Sequence, residues 1–473
     1  MIRKQDILDR SGEWQLRPEI VEKDYVLGWL LWGLGRHPMV ASTWVFKGGT
    51  CLKKCYFETY RFSGDLDFTL TPDAPYTRDE ILTILRDIAR NVSSESGIEI
   101  PEDAMQVDDR RDKQGRPTFR ARLGYRGPLA FPGVPRILFD LTSHEPVLGE
   151  PKEVPIFHPY PDTLPEPASI HAYGLEELLA EKTRALFERT RPRDLYDVVY
   201  VVNNQATNID LSRTRELFIQ KCQAKSVAPP ASAILVAHIR KTDELRSEWK
   251  NMLGHQLPQL PPVDSLLSEI DRVLQWIDLP VGVARPALPP APMGTLETRV
   301  APAGIQYWGG GVGLEAIRFA GANRLLVRFT YDGKERLVEP YSLRQASTGN
   351  LLLYAREVGS TVPIKAFITA KIIGVRPTDT PFTPLYQVEF TSGGFAPILP
   401  TASPVRRANP FSVHSLGAPS RRRRHSLGST YVFACPFCSK EFRRSKNDPT
   451  LRTHKAPGGW ACAGRRGYLV RMS

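Results

Sequence analysis

The segment that most constrains the fold is KGGTCLKKCYFETYRFSGDLDF, which runs from Lys47 to Phe68. The preceding TWVF and this segment predict a strand that ends in a glycine turn, followed by a helix over CLKKCYFETY and a second strand over GDLDFTL. Side chains two residues apart on a strand point to the same face, so we expect Asp65 and Asp67 to project side by side.

This pairing of carboxylates with glycines indicates a triphosphate and metal site. Two parallel carboxylates repel each other unless a cation lies between them, and Mg²⁺ bound to substrate phosphates is a usual partner. Gly48 and Gly49 let the backbone approach a phosphate, with the next helix N-terminus and the hydroxyl of Thr50 or Ser63 as donors. Two exposed acids on a strand edge are common, so the glycines carry the argument.

A third acid and a lysine extend the pattern. RILFDLTSHE, from Arg136 to Glu145, predicts a strand in the centre of a sheet, and Asp140 near its end is costly unless it meets a metal or a cation. In GLEELLAEKTRALFER, Lys182 falls on the apolar stripe of a predicted helix, where it requires an anion. The alternative for Lys182 is a side chain that reaches solvent from the edge of the stripe.

The next helix is predicted to begin after Pro192 with three charged residues, Arg193, Asp194 and Asp197. Acids in the first turn of a helix are also ordinary capping residues, so the position alone does not assign them to the site.

Together these motifs resemble the AbiEii-type nucleotidyltransferase toxins of bacterial abortive-infection and toxin–antitoxin systems. The resemblance covers about residues 22 to 202 and lies in VEKDYVLGWLL, FKGGTCLKK, RFSGDLDF, the strand ending at Asp140, and LLAEKTRALFERTRPRDLYD. It implies an α+β fold, the DNA polymerase β-like nucleotidyltransferase fold with a helical extension, and transfer of a nucleotide from an NTP to an acceptor hydroxyl. The implied acceptor is RNA, with tRNA the best match, and a cognate antitoxin is an implied partner.

The resemblance also implies roles for individual residues. Asp65 and Asp67 would bind Mg²⁺, with Asp140 holding the catalytic metal and helping to deprotonate the acceptor. Asp194 and Asp197 match the family's last motif, and which one is catalytic stays open. The groups implied to bind the nucleotide are Gly48, Gly49, Thr50, Lys53, Ser63 and Arg193, with Lys182 neutralising the triphosphate beside Lys53.

Composition shifts predict five segments. Residues 1–279 form the nucleotidyltransferase domain, and LPVGVARPALPPAPMG makes residues 280–300 a proline-rich linker. Residues 301–390 contain alternating strand patterns, RLLVRFTY, RLVEPYSL, LLLYARE, AFITAKIIGV and LYQVEF, typical of a small β-barrel or sandwich. Residues 391–430 read as a basic flexible arm, and residues 431–473 as a compact cysteine-bearing unit.

The third segment resembles a WYL domain, a ligand-sensing module with a small SH3-like barrel. The likeness lies in LEAIRFAGANRLLVRFTYDGKERLVEPYSL, KAFITAKIIGV and FTPLYQVEF. The tripeptide after which the family is named is replaced here by Leu351, Leu352 and Leu353. It implies that Arg336 and Lys371 line a pocket for an anionic or nucleotide ligand. The alternative is a purely structural barrel.

The C-terminal unit offers Cys435, Cys438, His454 and Cys462, a set that suits a tetrahedral Zn²⁺ site. So short a segment buries little core, so the metal would stabilise its fold. Cys51 and Cys55, four apart on a predicted helix, are expected to be core residues instead.

Charge is concentrated at the C-terminus. Residues 391–473 hold 15 Lys or Arg against two acids, a net charge of +13 in a chain whose total is +12. Such a tail favours contact with DNA or RNA, although it is also compatible with a solvated arm or an acidic protein partner. The N-terminus lacks a signal-peptide pattern and the apolar run at residues 26–34 is too short to span a bilayer, so we expect a cytoplasmic protein with no membrane contact.

Three functions remain compatible with the sequence. The acidic set favours an enzyme that adds a nucleotide to RNA. The second possibility is a non-catalytic regulator that binds nucleic acid, whose WYL-like barrel senses a ligand while the front domain only binds a nucleotide. The third is nucleotidylation of a protein, which differs only in the acceptor.

Overall fold

The computed structural model describes most of the chain. The described residues are 1–71, 77–111, 115, 117–143, 145–205, 209–278, 288–292, 298–300, 314–346, 350–390, 431–434, 440–444, 451–455, 461–462 and 468–472. The chain divides into two compact units, one of Met1–Tyr307 with Val312–Phe395 and one of Trp308–Gly311 with Ala396–Ser473.

The first unit is a mixed α+β structure. Its helices are α1 (Lys4–Trp14), α2 (Pro18–Arg36), α3 (Pro38–Thr43), α4 (Gly48–Cys51), α5 (Arg78–Ser96), α6 (Leu175–Arg189), α7 (Pro192–Gln205), α8 (Leu211–Ala224), α9 (Ser232–Lys241), α10 (Glu244–Ser247), α11 (Trp249–Leu253), α12 (Val263–Leu274) and α13 (Leu314–Ala322). A π-helical turn, Leu52–Tyr56, continues α4, and 3₁₀ turns lie at Glu102–Ala104, Gln275–Ile277 and Thr369–Lys371.

Seven strands form the sheet of the N-terminal region. They are β1 (Trp44–Lys47), β2 (Asp65–Leu70), β3 (Met105–Arg111), β4 (Pro117–Gly124), β5 (Arg136–Thr142), β6 (Lys152–Pro155) and β7 (Ser169–Ala172). Their order is β3-β4-β5-β2-β1-β7-β6, with β2 parallel to β5 and antiparallel to β1. The predicted strands over TWVF, GDLDFTL and RILFDLT are confirmed, and β5 lies inside the sheet as expected.

Local sequence explains the helices that cover this sheet. Helix α2 has proline at its first position and buries residues on nearly all of its faces, so it lies in the core, packed on α5 and β7. Helix α5 begins with a capping box in which Thr77 and Glu80 satisfy each other's backbone N–H, and it ends at Gly97 with φ +74°. Helix α6 packs against α7 and α8.

The helix predicted over CLKKCYFETY is shorter than expected. It ends at Tyr56, and its last turn is π-helical. Residues 57–64 contain no helix or strand and lead into β2. Cys51 and Cys55 are buried free thiols, as predicted.

The remainder of the first unit holds α13 and a six-stranded sheet. Its strands are β8 (Thr298–Val300), β9 (Leu325–Tyr331), β10 (Lys334–Ala346), β11 (Leu351–Glu357), β12 (Lys365–Ile368) and β13 (Ile372–Pro381). The order is β12-β11-β10-β9-β13, with β8 on β10. Within the described residues no pairing joins β12 to β13, so this sheet is open and the expected closed barrel is not seen.

Two local expectations for this sheet were wrong. LYQVEF forms an isolated bridge between Glu389 and Ser342 instead of a strand. AFITAKIIGV is divided by the 3₁₀ turn at Thr369–Lys371 into β12 and the start of β13. A helix at α13 was not expected from the β pattern around it.

The second unit is described only through short strands. These are β14 (Tyr431–Ala434), β15 (Glu441–Arg444), β16 (His454–Lys455), β17 (Ala461–Cys462) and β18 (Tyr468–Met472). His454 pairs in register with Cys462, whereas Cys435 and Cys438 lie outside the described residues. The described part of the chain contains no cluster of metal-ligating side chains and no helix both long and apolar enough to span a bilayer.

Candidate active site

Three carboxylates share one face of the central sheet. Asp65 and Asp67 are two residues apart on β2, and Asp140 on β5 is the register partner of Asp67 across the parallel pair. Residues opposite each other on neighbouring strands point to the same side of a sheet. The structure therefore brings together the three acids that the sequence singled out.

The glycine turn after β1 lies directly against these acids. Gly48 has φ +84°, and a Cβ built on it would be 2.3 Å from Oδ2 of Asp67. A Cβ on Gly49 would be 2.6 Å from Nη2 of Arg61 and 3.3 Å from Oγ of Ser63. A side chain at position 48 would therefore clash with Asp67, and one at position 49 would clash with Arg61, so the turn needs both glycines.

Asp67 has an electrostatic environment that favours a bound cation. Burial raises the pKa of Asp67 to about 6, and Asp140 and Asp65 add to the effect, while Lys47 and Lys182 oppose it. A carboxylate held near two others in a partly dry site is stabilised by a cation placed among them. This set of oxygen donors fits Mg²⁺, which uses one or two carboxylates together with substrate phosphates.

Basic side chains approach the other two acids. Nζ of Lys23 is 3.9 Å from Oδ1 of Asp65. Arg120 on β4 binds Asp140 with two hydrogen bonds of 2.6 and 2.9 Å. Two of the three acids of this face are therefore already paired with a basic side chain, Asp65 at a long distance and Asp140 through two hydrogen bonds.

Lys47 is a site residue that the sequence analysis missed. It ends β1 and is the register partner of Asp67 across the antiparallel pair. Its ammonium is buried and bound to Glu145, with Glu181 at 3.7 Å. Burial alone would lower the pKa of Lys47, but these carboxylates hold it well above its usual range. A permanent positive charge therefore lies beside Asp67 on the neighbouring strand.

Lys182 is neutralised by acids of the next helix. Its Nζ is 2.8 Å from Oδ2 of Asp197 and 3.7 Å from Oδ1 of Asp194, and its side chain is 12% exposed. The anion that the sequence required for this lysine is thus supplied by α7. Its charge also acts on Asp67, so Lys182 connects α7 to the carboxylate face.

Asp197 is anchored by several groups at once. Arg61 donates to both of its oxygens, at 2.6 and 2.8 Å, and the hydroxyl of Tyr60 also donates to it. Burial alone would raise the pKa of Asp197, but Arg61 and Lys182 hold it well below its usual range. This fully bonded carboxylate holds Lys182 and Arg61 in place.

The neighbouring α7 residues differ in their surroundings. Asp194 is buried and accepts two hydrogen bonds from Arg189, at 2.7 and 2.9 Å. Arg193 is exposed, and among the described residues no ion pair is formed by it. Partial desolvation by the surrounding protein lowers the pKa of Arg193, and Arg61 adds to this. Asp65, Asp197 and Asp194 oppose it, so the guanidinium is close to the acids of the site.

Two predicted phosphate ligands have other partners in the structure. The hydroxyl of Thr50 is fully buried and donates to the backbone oxygen of Asp65. The ammonium of Lys53 is buried over the ring of Phe62, 4.4 Å from its centroid, and donates to the backbone oxygen of Glu58. Both stabilise the turn and the segment after it, and the structure does not bring Lys53 together with Asp65 and Asp67.

The predicted ligand residues of the C-terminal sheet are also paired. Arg336 is 2.7 Å from Glu357, which binds Lys365 as well. Lys371 is exposed and 3.4 Å from Asp332. The two predicted pocket residues therefore sit in separate ion pairs on β10 and at the 3₁₀ turn.

Comparison with known proteins identifies the family of this chain. MenT4, nucleotidyltransferase toxin Rv2826c from Mycobacterium tuberculosis H37Rv, is similar over 59% of this chain and 91% of that chain, with 19% identity and a TM-score of 0.38. A search of curated proteins gives no match. Residues 31–276, more than half of the chain, match the family described as "Nucleotidyl transferase AbiEii toxin, Type IV TA system". The chain therefore belongs to the AbiEii nucleotidyltransferase toxin family.

Proposed function

We propose that this toxin-family enzyme uses Mg²⁺ to transfer a nucleotide from an NTP to a hydroxyl of an RNA acceptor, with tRNA as the acceptor class. The observation that supports this most is the position of Asp65, Asp67 and Asp140 on one sheet face beside the glycine turn. Three acids gathered beside a glycine turn favour a metal-dependent phosphate-transfer site over a purely structural role.

In this proposal Asp65 and Asp67 hold the metal, which when bound offsets negative charge on the triphosphate. Lys182 and Arg193 add positive charge beside the same oxygens, and Ser63, whose Oγ lies beside Gly49, donates a hydrogen bond to the triphosphate. Asp140, oriented by Arg120, takes up the proton of the acceptor hydroxyl as it reacts.

The reaction exchanges one phosphorus–oxygen bond for another. The acceptor oxygen forms a bond to the α-phosphorus, the bond from that phosphorus to the β-phosphate oxygen breaks, and pyrophosphate leaves. Negative charge grows on the α-phosphate oxygens and on pyrophosphate, where fixed cations stabilise it most. Asp194 and Asp197 contribute by holding Arg189, Arg61 and Lys182 in position.

Further functions are proposed for the C-terminal half. The basic tail would bind nucleic acid through phosphates, and Cys435, Cys438, His454 and Cys462 would hold a structural Zn²⁺. The six-stranded sheet would serve as a WYL-like sensing module, with Arg336 and Lys371 as its ligand contacts. A cognate antitoxin in the cytoplasm would be the regulatory partner.

Incubation of the purified protein with each labelled NTP, Mg²⁺ and total tRNA tests the proposal. Label should appear in RNA with one or two of the NTPs and should disappear with EDTA. Label in added protein instead of RNA would assign a protein acceptor. Nucleotide binding without transfer to any acceptor would favour the regulator.

A further inference from the structure

Residues 57–64 form one side of the candidate site. Within this segment Tyr60 and Arg61 both bind Asp197, and the backbone of Gly49 lies against Arg61. Because Asp197 in turn binds Lys182 at 2.8 Å, the position of the segment sets the position of Lys182.

Helix α13 packs on this segment, although it lies beyond residues 31–276, the part matched to the family. Nη2 of Arg318 donates to Glu58 at 2.5 Å, and Nη1 donates to Glu315 at 3.1 Å. The hydroxyl of Thr59 donates to Glu315 at 3.0 Å. Two consecutive residues of the segment are therefore bound to α13 through charged groups.

The C-terminal end of α13 binds the helix that carries Asp197. The hydroxyl of Tyr196 donates to Oδ1 of Asn323 at 2.7 Å. The amide of Asn204 donates to the backbone oxygen of Ala322 at 3.1 Å. Both elements that fix Asp197 and its partners, the segment at residues 57–64 and helix α7, are thus held by α13 and the residue that follows it.

Arg318 is the central residue of this contact. Its side chain is 2% exposed, and those of Glu58 and Glu315 are 11% and 17% exposed. Charge pairs away from water are strong and directional, and loss of one member leaves the partner charge uncompensated. Without the guanidinium, Glu58 and Glu315 would repel each other, and the segment would move.

We infer that Arg318 is a positioning residue for nucleotidyl transfer, which acts through Glu58 and Arg61 on Asp197 and Lys182. The C-terminal sheet domain, of which α13 is a part, then sets the turnover of the active site. The inference rests on the proposed function.

Full-length Arg318→Met and Arg318→Lys variants test it, with Arg328→Met as the matched control. Arg328 is half exposed and pairs with Glu335 on the same sheet. A misplacement of about 1 Å at a reacting group costs up to about 100-fold in rate, so we expect Arg318→Met to lower kcat about 10- to 100-fold with a smaller change in KM. Arg318→Lys should recover most of this loss, and the control should match the unaltered protein.

A double-mutant cycle separates positioning from general destabilisation. The Kd of a Mg²⁺-bound α,β-methylene NTP analogue is measured for Arg318→Met with Lys182 present and in a Lys182→Ala background. If Arg318 acts through Lys182, Arg318→Met weakens binding of the analogue when Lys182 is present and leaves it unchanged in the Lys182→Ala background. Equal weakening in both backgrounds would contradict the inference.

Two further readouts complete the test. Hydrogen exchange should become faster at residues 57–64 in the Arg318→Met variant. If Arg318→Met does not fold, the Thr59→Val variant takes its place in every comparison. Unchanged turnover in Arg318→Met would contradict this inference and leave the proposed function standing. A lack of transfer from every NTP in the unaltered protein contradicts the proposed function instead.

Discussion

Replacement of Asp67 by Asn should stabilise the fold while it abolishes transfer. Ionised Asp67 is unfavourable because it is buried beside Asp140 and Asp65, which raises its pKa to about 6 from the ordinary 3.8. Each pKa unit corresponds to about 1.4 kcal/mol, which gives about 3 kcal/mol for a fully buried group. Since the side chain is partly accessible to solvent, we expect Asp67→Asn to raise the free energy of unfolding by about 1 to 2 kcal/mol at pH 7.5.

The pH dependence of this gain follows from the direction of the pKa shift. Below about pH 3 the carboxyl is mostly protonated in both the folded and the unfolded chain, so it costs almost nothing. Between about pH 3 and 6 the unfolded chain releases the proton first, and the folded state loses stability as pH rises. The difference between the variant and the unaltered protein should therefore be about a third of its full size at pH 4.5 and complete at pH 7.5.

Urea unfolding in EDTA, followed by tryptophan fluorescence at both pH values, measures this difference. Asp108→Asn is the matched control, because Asp108 is a partly exposed acid paired with Arg122 at the sheet edge. Addition of Mg²⁺ should stabilise the unaltered protein and leave Asp67→Asn unchanged. A variant less stable than the unaltered protein at pH 7.5, or a difference equal at both pH values, would refute the reasoning.

Three more predictions address the surroundings of the site and the tail. Lys182→Ala should lower transfer about 100-fold, measured by label incorporation, but lower the free energy of unfolding in urea by less than about 2 kcal/mol, because Asp197 stays bound to Arg61. Unchanged transfer with a large loss of stability would make Lys182 a structural residue. Arg61→Ala should cost about 3 to 5 kcal/mol in the same unfolding assay, since it leaves Asp197 buried with fewer partners, and a loss below about 1 kcal/mol would contradict this. Truncation after Phe390 should weaken RNA binding and remove most of its salt dependence in a salt titration; an unchanged slope would place acceptor binding in the N-terminal region.

The centre of the site could be predicted because its geometry is local. The period of a strand fixes the common face of Asp65 and Asp67, and the glycine turn is visible as letters in the sequence. Asp140 was singled out because an acid is costly in an apolar strand, and the pairing of β5 with β2 that brings it beside Asp67 is seen in the structure.

The partners of these acids could not be predicted in the same way. Lys47 and Arg120 reach the site through the pairing of β1 with β2 and of β4 with β5, and strand order is not encoded in any one segment. Lys53 was expected at the phosphates from the family resemblance, yet the π-helical turn places its ammonium over Phe62. The contact of Arg318 with Glu58 joins residues 260 apart, beyond the reach of any local pattern.

The central claim is that Asp65 and Asp67 support transfer of a nucleotide, and position-specific labels test it most directly. The purified protein is incubated with Mg²⁺, tRNA and NTP labelled at either the α- or the γ-phosphate, beside Asp65→Ala and Asp67→Ala variants and the Asp108→Asn control. The account predicts that α-label enters RNA with release of one pyrophosphate per nucleotide, that γ-label does not enter, and that only the two site variants lose the activity. Incorporation of γ-label, or full transfer by a chain that lacks both Asp65 and Asp67, would contradict it.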